Sequence, residues 1–243
     1  MLNILYRDEH LIAIDKPAGL LVHRSELDRH ETRFAVQLLR DQIGRRVQPV
    51  HRLDRGTSGV LLFAFDPEMT RQLSQQFETN AVHKTYLAVV RGWPPEEGCI
   101  DHALTVQADK YAGISGKEAQ AAVTRFRRLA TVELPFAVER FPTSRYALVA
   151  LFPETGRRHQ LRRHMKHIAH PVIGDTTHGK GIHNRFFQQQ FGCHRLLLAC
   201  VEMRFRHPVT GEETIIRAPL GDQFAEVLER LGWPDCKQPQ DCL

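Results

Sequence analysis

One short segment of the chain brings together residue types that could act on a substrate. Residues 51–59 read HRLDRGTSG, in which Asp54 lies between Arg52 and Arg55. An opposite charge within about 4 to 6 Å lowers the pKa of an Asp by about 1 to 3 units, so this carboxylate should stay ionised. Thr57 and the glycines would allow a tight turn that brings polar groups to a ligand. The alternative interpretation is a solvated turn with an ordinary surface salt bridge.

The position of this segment along the chain favours the catalytic interpretation. It runs directly into residues 59–65 (GVLLFAF), a continuous apolar run that predicts a buried strand. Catalytic carboxylates are commonly presented from a loop beside a buried strand, because the rigid scaffold aims the side chain at a substrate. Asp54 is therefore the candidate catalytic carboxylate.

A second cluster carries positive charge. Of the 33 basic residues 26 are Arg, and the chain has no carboxylate between Glu154 and Asp175. A guanidinium binds phosphate with two parallel hydrogen bonds and stacks on rings, so this patch predicts contact with a nucleic acid. The alternative is a coding bias that favours Arg over Lys. The patch contains Arg157, Arg158, Arg162, Arg163, Lys166, His159, His164, His167 and His170.

The histidines of this patch could also suggest a zinc site. Successive histidines are 5, 3 and 3 residues apart, which does not match the HExxH arrangement of two ligands and a glutamate on one helical face. The five cysteines are an odd number without a CxxC pair, which argues against a thiolate zinc site and against a disulfide framework. No metal is expected.

The composition indicates a folded protein. The chain has 243 residues, of which 42% are hydrophobic and 25% charged, with a net charge of +5. Such a composition excludes disorder as the main state. No run of about 18 apolar residues appears, and the N-terminus turns polar too early for a secretory signal. We therefore expect a cytoplasmic protein without a membrane segment.

Apolar periodicity predicts the elements that must position these residues. Together they predict an α+β fold with a largely antiparallel sheet and a few packed helices. The stretch 96–118 is turn-rich, and its pattern does not decide which element forms there. Strands are predicted at 11–19, 59–65, 83–92, 121–132 and 145–152, with two more within 195–220, and helices at 31–44, from an Asp66 cap and Pro67 onward, and at about 157–169. In the last of these helices, Arg158, Arg162 and Lys166 should project from three successive turns toward one side.

With these blocks in place, the sequence resembles the RluA-type pseudouridine synthases. HRLD at 51–54 and TSG at 57–59 carry the match, with DKPAG at 15–19, KTY at 84–86, TGRRHQLR at 155–162 and HPVIGD at 170–175. LVHRS at 21–25 and FPTSRY at 141–146 resemble a tRNA-modifying group within that family. Ala199 and Cys200 depart from the pattern, since many relatives carry His-Ala there.

The resemblance implies an isomerase that breaks the N1–C1′ bond of a uridine in RNA, rotates the base and joins C5 to C1′ without a cofactor. Asp54 would be the catalytic carboxylate, attacking C1′ or removing the C2′ proton, and Arg162 would pair with it. Tyr86 would stack on the target ring and take or relay the C5 proton. Substrate contacts are expected from Arg52, Arg55, Thr57, Lys84, Arg157, Arg158 and Lys166.

The resemblance also implies an organisation and a partner. We expect a catalytic domain over residues 1–220 with two lobes around one basic cleft, no preceding S4-type RNA-binding domain, and a C-terminal helix and tail over 221–243. The expected substrate is tRNA, at a uridine of the T stem near the acceptor junction, and the expected state is a monomer without an obligate protein partner. The alternatives are a ribosomal-RNA pseudouridine synthase of the same chemistry and a tRNA chaperone that acts without catalysis.

Overall fold

The computed structural model describes residues 1–23, 31–105 and 118–234, which confirm the predicted α+β class. Parts of the segments LVHRS, 96–118 and 221–243 lie outside these residues. The chain divides into two compact units, the first formed by Met1–Lys84 with Cys200–Pro219 and the second by Thr85–Ala199 with Leu220–Leu243. The expected arrangement of two lobes around a cleft stays a prediction.

The described elements alternate between strands and helices along the chain. The strands are β1 (Asn3–Arg7), β2 (Leu11–Lys16), β3 (Gln48–Pro49), β4 (Ser58–Ala64), β5 (His83–Arg91), β6 (Glu97–Asp101), β7 (Leu104–Thr105), β8 (Ala119–Gln120), β9 (Val123–Leu134), β10 (Ser144–Pro153), β11 (Leu198–Arg206) and β12 (Glu213–Arg217). The helices are α1 (Ala35–Ile43), α2 (Pro67–Glu78), α3 (Gln160–His167), α4 (Gly181–Phe191) and α5 (Asp222–Arg230).

In the first unit, β4 forms the centre of the sheet. The strand order is β1-β2-β4-β11, with β3 also pairing with β4 and β12 with β11. The pairing of β2 with β4 is antiparallel, so that Leu11 lies opposite Ala64 and Lys16 opposite Gly59. Every residue of β4 is buried, as its continuous apolar run predicts. The loop that precedes β4 therefore ends on a rigid, fully covered strand.

The second unit has its own antiparallel strand order, β5-β10-β9-β6. The middle of β10, residues 146–151, is fully buried. β5 runs beside it with Tyr86 opposite Leu151. The register places Tyr86 near the beginning of β5, and its side chain is 9% exposed.

Two predicted helices of the first unit form where the sequence places them, with one shifted boundary. The Asp66 side chain accepts the backbone N–H of Met69 at 2.9 Å, and Pro67 occupies the first position of α2. Helix α1 begins at Ala35 rather than at residue 31, because Phe34 is extended and forms an isolated β-bridge with Leu21. It ends where predicted, at Gly44.

The prediction of a helix over 157–169 is wrong at both ends. Helix α3 spans Gln160–His167, because His159 adopts a left-handed conformation with φ 55° and the Gln160 side chain accepts the Arg157 N–H. Arg158 therefore precedes the helix. Arg162 is 8% exposed and does not project into solvent with Lys166. The expected row of three cations on successive helical turns is absent from this part of the chain.

Candidate active site

Asp54 lies in the first unit, in the loop between β3 and β4. Its side chain is half-buried, and the preceding Leu53 is 6% exposed and anchors the loop in the core. The backbone N–H of Thr57 donates to the Asp54 carbonyl at 3.1 Å, which closes a tight turn. This geometry fixes the backbone of the half-buried Asp54.

The loop is tied to the end of β2 by Lys16, which is 0% exposed. Its Nζ donates to the backbone carbonyls of Pro17 at 2.9 Å, Leu20 at 2.7 Å and Arg55 at 3.2 Å. Three carbonyl acceptors supply the hydrogen bonds that a desolvated ammonium requires. Because Arg55 follows Asp54 in the chain, Lys16 fixes the loop next to the candidate carboxylate. No local pattern indicates this role of Lys16, although the residue belongs to the DKPAG block.

The turn at residues 17–20 is hydrogen-bonded to the same loop. Gly19 donates its N–H to the Arg55 carbonyl at 2.8 Å, and the Arg55 Nε donates back to the Gly19 carbonyl at 3.1 Å. An Nη of Arg55 also lies 2.5 Å from the Glu31 carboxylate. The Gly19 turn is therefore bound to the loop by one backbone and one side-chain hydrogen bond, and Glu31 is bound to it by an exposed ion pair.

His51 fixes the beginning of the loop to the sheet. Its Nε2 accepts the backbone N–H of Leu62 in β4 at 3.1 Å, and its ring stacks on Phe77 with centroids 4.9 Å apart. Burial, and then the charge of Lys84, lower the pKa of His51 to about 3. A neutral ring keeps Nε2 available as an acceptor, so this contact should persist at every pH at which the protein is assayed.

Gly59 ends the loop at a point where no side chain fits. Its φ is +103°, and a Cβ there would lie 2.0 Å from the carbonyl oxygen of Cys200. Gly59→Ala should destabilise the protein by about 3 kcal/mol, since the backbone strain costs about 1–2 kcal/mol and overpacking typically adds about 1–3 kcal/mol. Urea unfolding measures this loss.

Gly44 provides the matched control for that prediction. It also has a positive φ, +66°, but nothing lies within 4 Å of its Cβ position. Gly44→Ala should therefore cost only the strain of about 1 kcal/mol. Equal losses in the two variants would contradict the close packing of Gly59 against Cys200.

The predicted substrate contacts of the first unit differ in exposure. Arg52 and Arg55 are exposed, and Lys84 is half-buried with its Nζ 5.6 Å from the centre of the Phe77 ring. Thr57 is only 2% exposed. Its N–H closes the turn at Asp54, which gives it a structural role, and a contact from its side chain to a substrate stays a prediction.

Arg162 belongs to the second unit and makes a buried ion pair that its position in the sequence does not predict. Its Nε and Nη2 each donate to one oxygen of Asp175, both at 2.7 Å. Asp175 Oδ1 also accepts the backbone N–H groups of Thr177 and His178, each at 2.9 Å. Burial raises the pKa of Asp175, but Arg162 and these N–H groups outweigh it, so that the pKa lies below its ordinary value.

The lowered pKa of Asp175 predicts a pH dependence of stability. Unfolding returns the group to a pKa of about 3.9, so the folded state gains stability above that pH and loses it as the pH falls through the lower, folded-state pKa. Asp175→Asn should therefore flatten the fall of Tm between about pH 5 and pH 3. Thermal unfolding across this range measures the difference, and parallel curves for the two proteins would contradict the prediction.

Family comparison identifies the chain. The family model described as RNA pseudouridylate synthase matches residues 10–167. This chain belongs to the RNA pseudouridylate synthase family. The resemblance found in the sequence is confirmed, and with it the assignment of the protein as an isomerase.

Relatives resemble this pseudouridylate synthase over nearly its whole length. The tRNA pseudouridine synthase C of Vibrio vulnificus (strain CMCP6) is 53% identical over 237 residues, covering 96% of this chain and 97% of the relative. That of Haemophilus ducreyi (strain 35000HP / ATCC 700724) is 53% identical over 234 residues, covering 96% of each chain. The solved structure of human RNA Pseudouridylate Synthase Domain Containing 4 has a TM-score of 0.71 and 26% identity over 95% of this chain and 93% of that one.

The second unit of this pseudouridylate synthase presents cations around α3. Arg157, Arg158 and Lys166 are exposed. Arg163 is held by Thr105, to which its Nη1 and Nη2 donate at 3.0 and 3.1 Å. The exposed members of the predicted patch therefore lie at the start and on the outer face of α3.

The histidines of this patch pair with other side chains. His159 Nδ1 lies 3.0 Å from His178 Nε2, and His167 stacks on His102 with centroids 3.7 Å apart. Among residues 1–23, 31–105 and 118–234, no three His, Cys, Asp or Glu side chains are grouped so that they could bind a metal ion. Within the same ranges, no helix is both long enough and apolar enough to cross a membrane.

Proposed function

We propose that this synthase converts a uridine of tRNA, in the T stem near the acceptor junction, to pseudouridine, with Asp54 as the catalytic carboxylate. The observation that carries the proposal is the loop of Asp54, in which a half-buried carboxylate sits on a backbone held by Lys16, His51 and the Gly19 turn. The near-full-length relatives named tRNA pseudouridine synthase C support tRNA as the substrate.

The reaction needs three things from the chain: a carboxylate that acts at C1′ or C2′, a cation that keeps this carboxylate ionised, and a group that holds the uracil and takes its C5 proton. Asp54 either attacks C1′ or removes the C2′ proton, and both routes require its ionised form.

In the first route N1 leaves C1′ with the bonding pair as Asp54 attacks, and C5 of the turned uracil later displaces the carboxylate from C1′. In the second route N1 leaves as Asp54 removes the C2′ proton, which gives a glycal, and the proton returns to C2′ when C5 adds to C1′. In both routes C5 then loses its proton and N1 gains one. Atoms and electrons balance without an oxidant or reductant.

The other two tasks are assigned to residues of the second unit. Arg162 pairs with Asp54 and keeps it ionised, since an adjacent cation favours the charged form of a carboxyl group. Tyr86 stacks on the uracil and takes or relays the C5 proton. These two roles rest on the family resemblance and on the burial of both side chains, 9% and 8% exposed respectively for Tyr86 and Arg162.

RNA binding is assigned to the exposed cations near α3. A base-paired uridine must leave its stack before it can react, which costs a few kcal/mol that phosphate contacts can offset. If Arg157, Arg158 and Lys166 each contact one phosphate, the single-strand value of about −0.7 per contact gives a log–log salt slope of about −2.

Lys166→Ala should make this salt slope shallower by about 0.7. The Kd for tRNA measured at several salt concentrations gives the slope. Arg71→Ala is the control, because Arg71 is an exposed cation of α2 paired with Glu68 at 2.7 Å and has no assigned role in RNA binding. An equal change in the two variants would contradict a specific phosphate contact at Lys166.

The substrate is tested by incubating the purified protein, without added cofactor, with RNA that carries tritium at uridine C5. Release of tritium from tRNA and not from ribosomal RNA is the expected result. Release from ribosomal RNA alone would favour a ribosomal-RNA synthase of the same chemistry. Improved tRNA folding with no release from either RNA would favour a chaperone.

With tRNA as the substrate, we place the protein in the cytoplasm and expect it to act as a monomer without an obligate protein partner. Sedimentation of the free protein and of its tRNA complex measures the oligomeric state. One protein chain per tRNA at the concentrations used in the activity assay is the expected composition.

A further inference from the structure

Three large aromatic side chains of the second unit are exposed. Trp93 is 38% exposed, Phe136 41% and Phe141 53%, and no other Phe, Trp or Tyr within residues 1–23, 31–105 and 118–234 is as exposed. Trp93 follows β5, and the two phenylalanines lie in the loop 135–143 between β9 and β10. Single apolar side chains on a surface are common, but a group of large ones indicates an interaction site.

Contacts place Trp93 beside this loop, at one end of the sheet. Its Nε1 donates to the carbonyl of Val132, near the end of β9, at 3.2 Å. The guanidinium of Arg145, at the beginning of β10, lies 4.4 Å from the centre of the Trp93 ring. Trp93 therefore lies where β5 and β9 end and β10 begins, next to the loop 135–143. We call Trp93, Phe136 and Phe141 the aromatic patch.

The loop that carries the two phenylalanines is anchored by hydrogen bonds. The Ser144 hydroxyl donates to the Phe136 carbonyl at 2.8 Å. The Glu139 carboxylate accepts Arg91 Nη2 at 2.5 Å and Lys180 Nζ at 2.7 Å, which binds the loop to β5 and to the start of α4. Rings on an anchored loop lose little conformational freedom when they bind a partner, which favours affinity.

Cations outnumber carboxylates around the aromatic patch. Arg140 is exposed, its guanidinium lies 4.7 Å from the centre of the Phe141 ring, and no carboxylate of the described residues forms an ion pair with it. A guanidinium beside an aromatic ring presents, with that ring, flat surfaces on which an unpaired base can stack. The excess of positive charge favours RNA over a protein as the partner. The carboxylates of these contacts are Glu133 and Glu139, and the cations are Arg91, Arg140, Arg145 and Lys180.

The aromatic patch lies at the opposite end of β5 from Tyr86. Tyr86 is opposite Leu151 of β10, whereas Arg91, at the end of the strand, is opposite Tyr146. Trp93 follows Tyr86 by seven residues, which at about 3.3 Å per extended residue places the patch about 20 Å away. In tRNA, about seven base pairs of about 3 Å each separate the junction of the T and acceptor stems from the unpaired 3′ end, which is also about 20 Å. A T-stem uridine at Tyr86 therefore leaves the 3′ end within reach of the patch.

We propose that the aromatic patch binds the unpaired 3′ end of the substrate tRNA, whose bases stack on Phe141 and the neighbouring exposed rings. This inference rests on the proposed function, in which tRNA is the substrate and a T-stem uridine is the target. The patch touches no reacting atom. It binds the RNA at a second point, and the exposed cations beside it contact the phosphates of the same nucleotides.

Removal of the Phe141 ring tests the proposal. Phe141→Ala should raise the Kd for tRNA by about 5-fold or more, since a base that stacks on an aromatic ring loses that much affinity when the ring is removed. Trimming the unpaired 3′ nucleotides from the tRNA should weaken wild-type binding at least as much. Because the two changes remove one contact, Phe141→Ala should weaken binding of the trimmed tRNA by less than about two-fold.

Two further variants separate stacking from apolar packing. Phe141→Tyr keeps the flat ring and should retain most of the wild-type affinity for tRNA. Phe141→Leu keeps an apolar side chain without a ring and should bind as weakly as Phe141→Ala. Ile215→Ala is the matched control, because Ile215 is 38% exposed on β12 of the first unit and has no assigned role. The Kd of this control for tRNA should equal that of the wild type.

A fluorescent base reports the contact directly. The tRNA carries 2-aminopurine in place of its 3′-terminal adenine, and stacking on a ring quenches the fluorescence of this base. The wild-type protein should quench it on binding, and Phe141→Leu at a saturating concentration should quench it far less. Unquenched fluorescence in the wild-type complex would refute stacking of the 3′ end.

The remaining outcomes distinguish this inference from the proposed function. Equal Kd values of the wild type for intact and trimmed tRNA would overturn the inference, as would an equal effect of Phe141→Ala on both RNAs. A free protein that sediments as a dimer, and as a monomer after Phe141→Ala, would assign the patch to a second copy of the chain and overturn it too. The proposed function fails separately if the wild type releases no tritium from C5-labelled tRNA. Release by the wild type, together with unchanged tRNA binding by Phe141→Ala, would overturn this inference alone.

Discussion

Asp54→Asn is expected to slow pseudouridine formation by at least about 100-fold and by up to about 10⁴-fold. The amide has nearly the shape of the carboxylate but can neither attack C1′ nor accept the C2′ proton, so both routes fail. The loop should keep its conformation, because its turn uses the backbone carbonyl of Asp54 and the anchors at Lys16 and His51. The measurement is the single-turnover rate with saturating enzyme.

Asp66→Asn is the control for this variant. Asp66 caps α2 in the same unit by accepting the Met69 N–H at 2.9 Å, and Asn caps a helix about as well as Asp does. The control should therefore keep the wild-type rate. The Kd of Asp54→Asn for tRNA should change little, because phosphate contacts supply most of the binding. A wild-type rate for Asp54→Asn, or an equal loss in Asp66→Asn, would contradict the role of Asp54.

Lys16→Met is expected to lower the free energy of unfolding by about 3 kcal/mol or more, because it removes three hydrogen bonds from a charged donor, each of which contributes about 1.5–3 kcal/mol. The carbonyls of Pro17, Leu20 and Arg55 would all lose the ammonium, and Met offers no donor in its place. Since one of these bonds lies next to Asp54, the rate per folded molecule should fall as well. Urea unfolding and the single-turnover assay measure the two effects.

The stability effect has its own control in Lys166→Met. Lys166 is exposed on α3, so its replacement should change the free energy of unfolding by less than about 0.5 kcal/mol. Equal unfolding midpoints for Lys16→Met and the wild type would show that Lys16 does not anchor the loop.

The elements that the sequence predicts correctly are those decided by adjacent residues. The cap of α2 depends on Asp66 and Pro67 alone, and β4 depends on an uninterrupted apolar run. The start of α3 depends instead on the left-handed backbone of His159 and on the side-chain contact of Gln160 with Arg157, neither of which an apolar pattern indicates. Helix α4 was not predicted, because the polar run QQQ at 188–190 interrupts the apolar period of its phenylalanines.

The candidate site likewise contains a residue that the local sequence identifies and residues that it does not. The charge and position of Asp54 are visible in nine consecutive residues, so the sequence is enough to single it out. Lys16 acts on Arg55, which is 39 residues away, and Asp175 acts on Arg162 from 13 residues away. The spacing of neighbouring residues indicates neither contact, because each forms only when folding brings distant strands and loops together. The burial of Arg162 follows from the same cause, because its partner lies beyond the helix.

The catalytic role of Asp54 and the position of the modified uridine are tested together by the release of tritium from C5-labelled tRNA, compared between the wild type and Asp54→Asn. The wild type is expected to release the label of one uridine per tRNA, and none from a tRNA in which the T-stem uridine near the acceptor junction is replaced by cytidine. Asp54→Asn is expected to release almost none. Full release by Asp54→Asn would contradict its catalytic role, and unchanged release from the substituted tRNA would contradict the T-stem target.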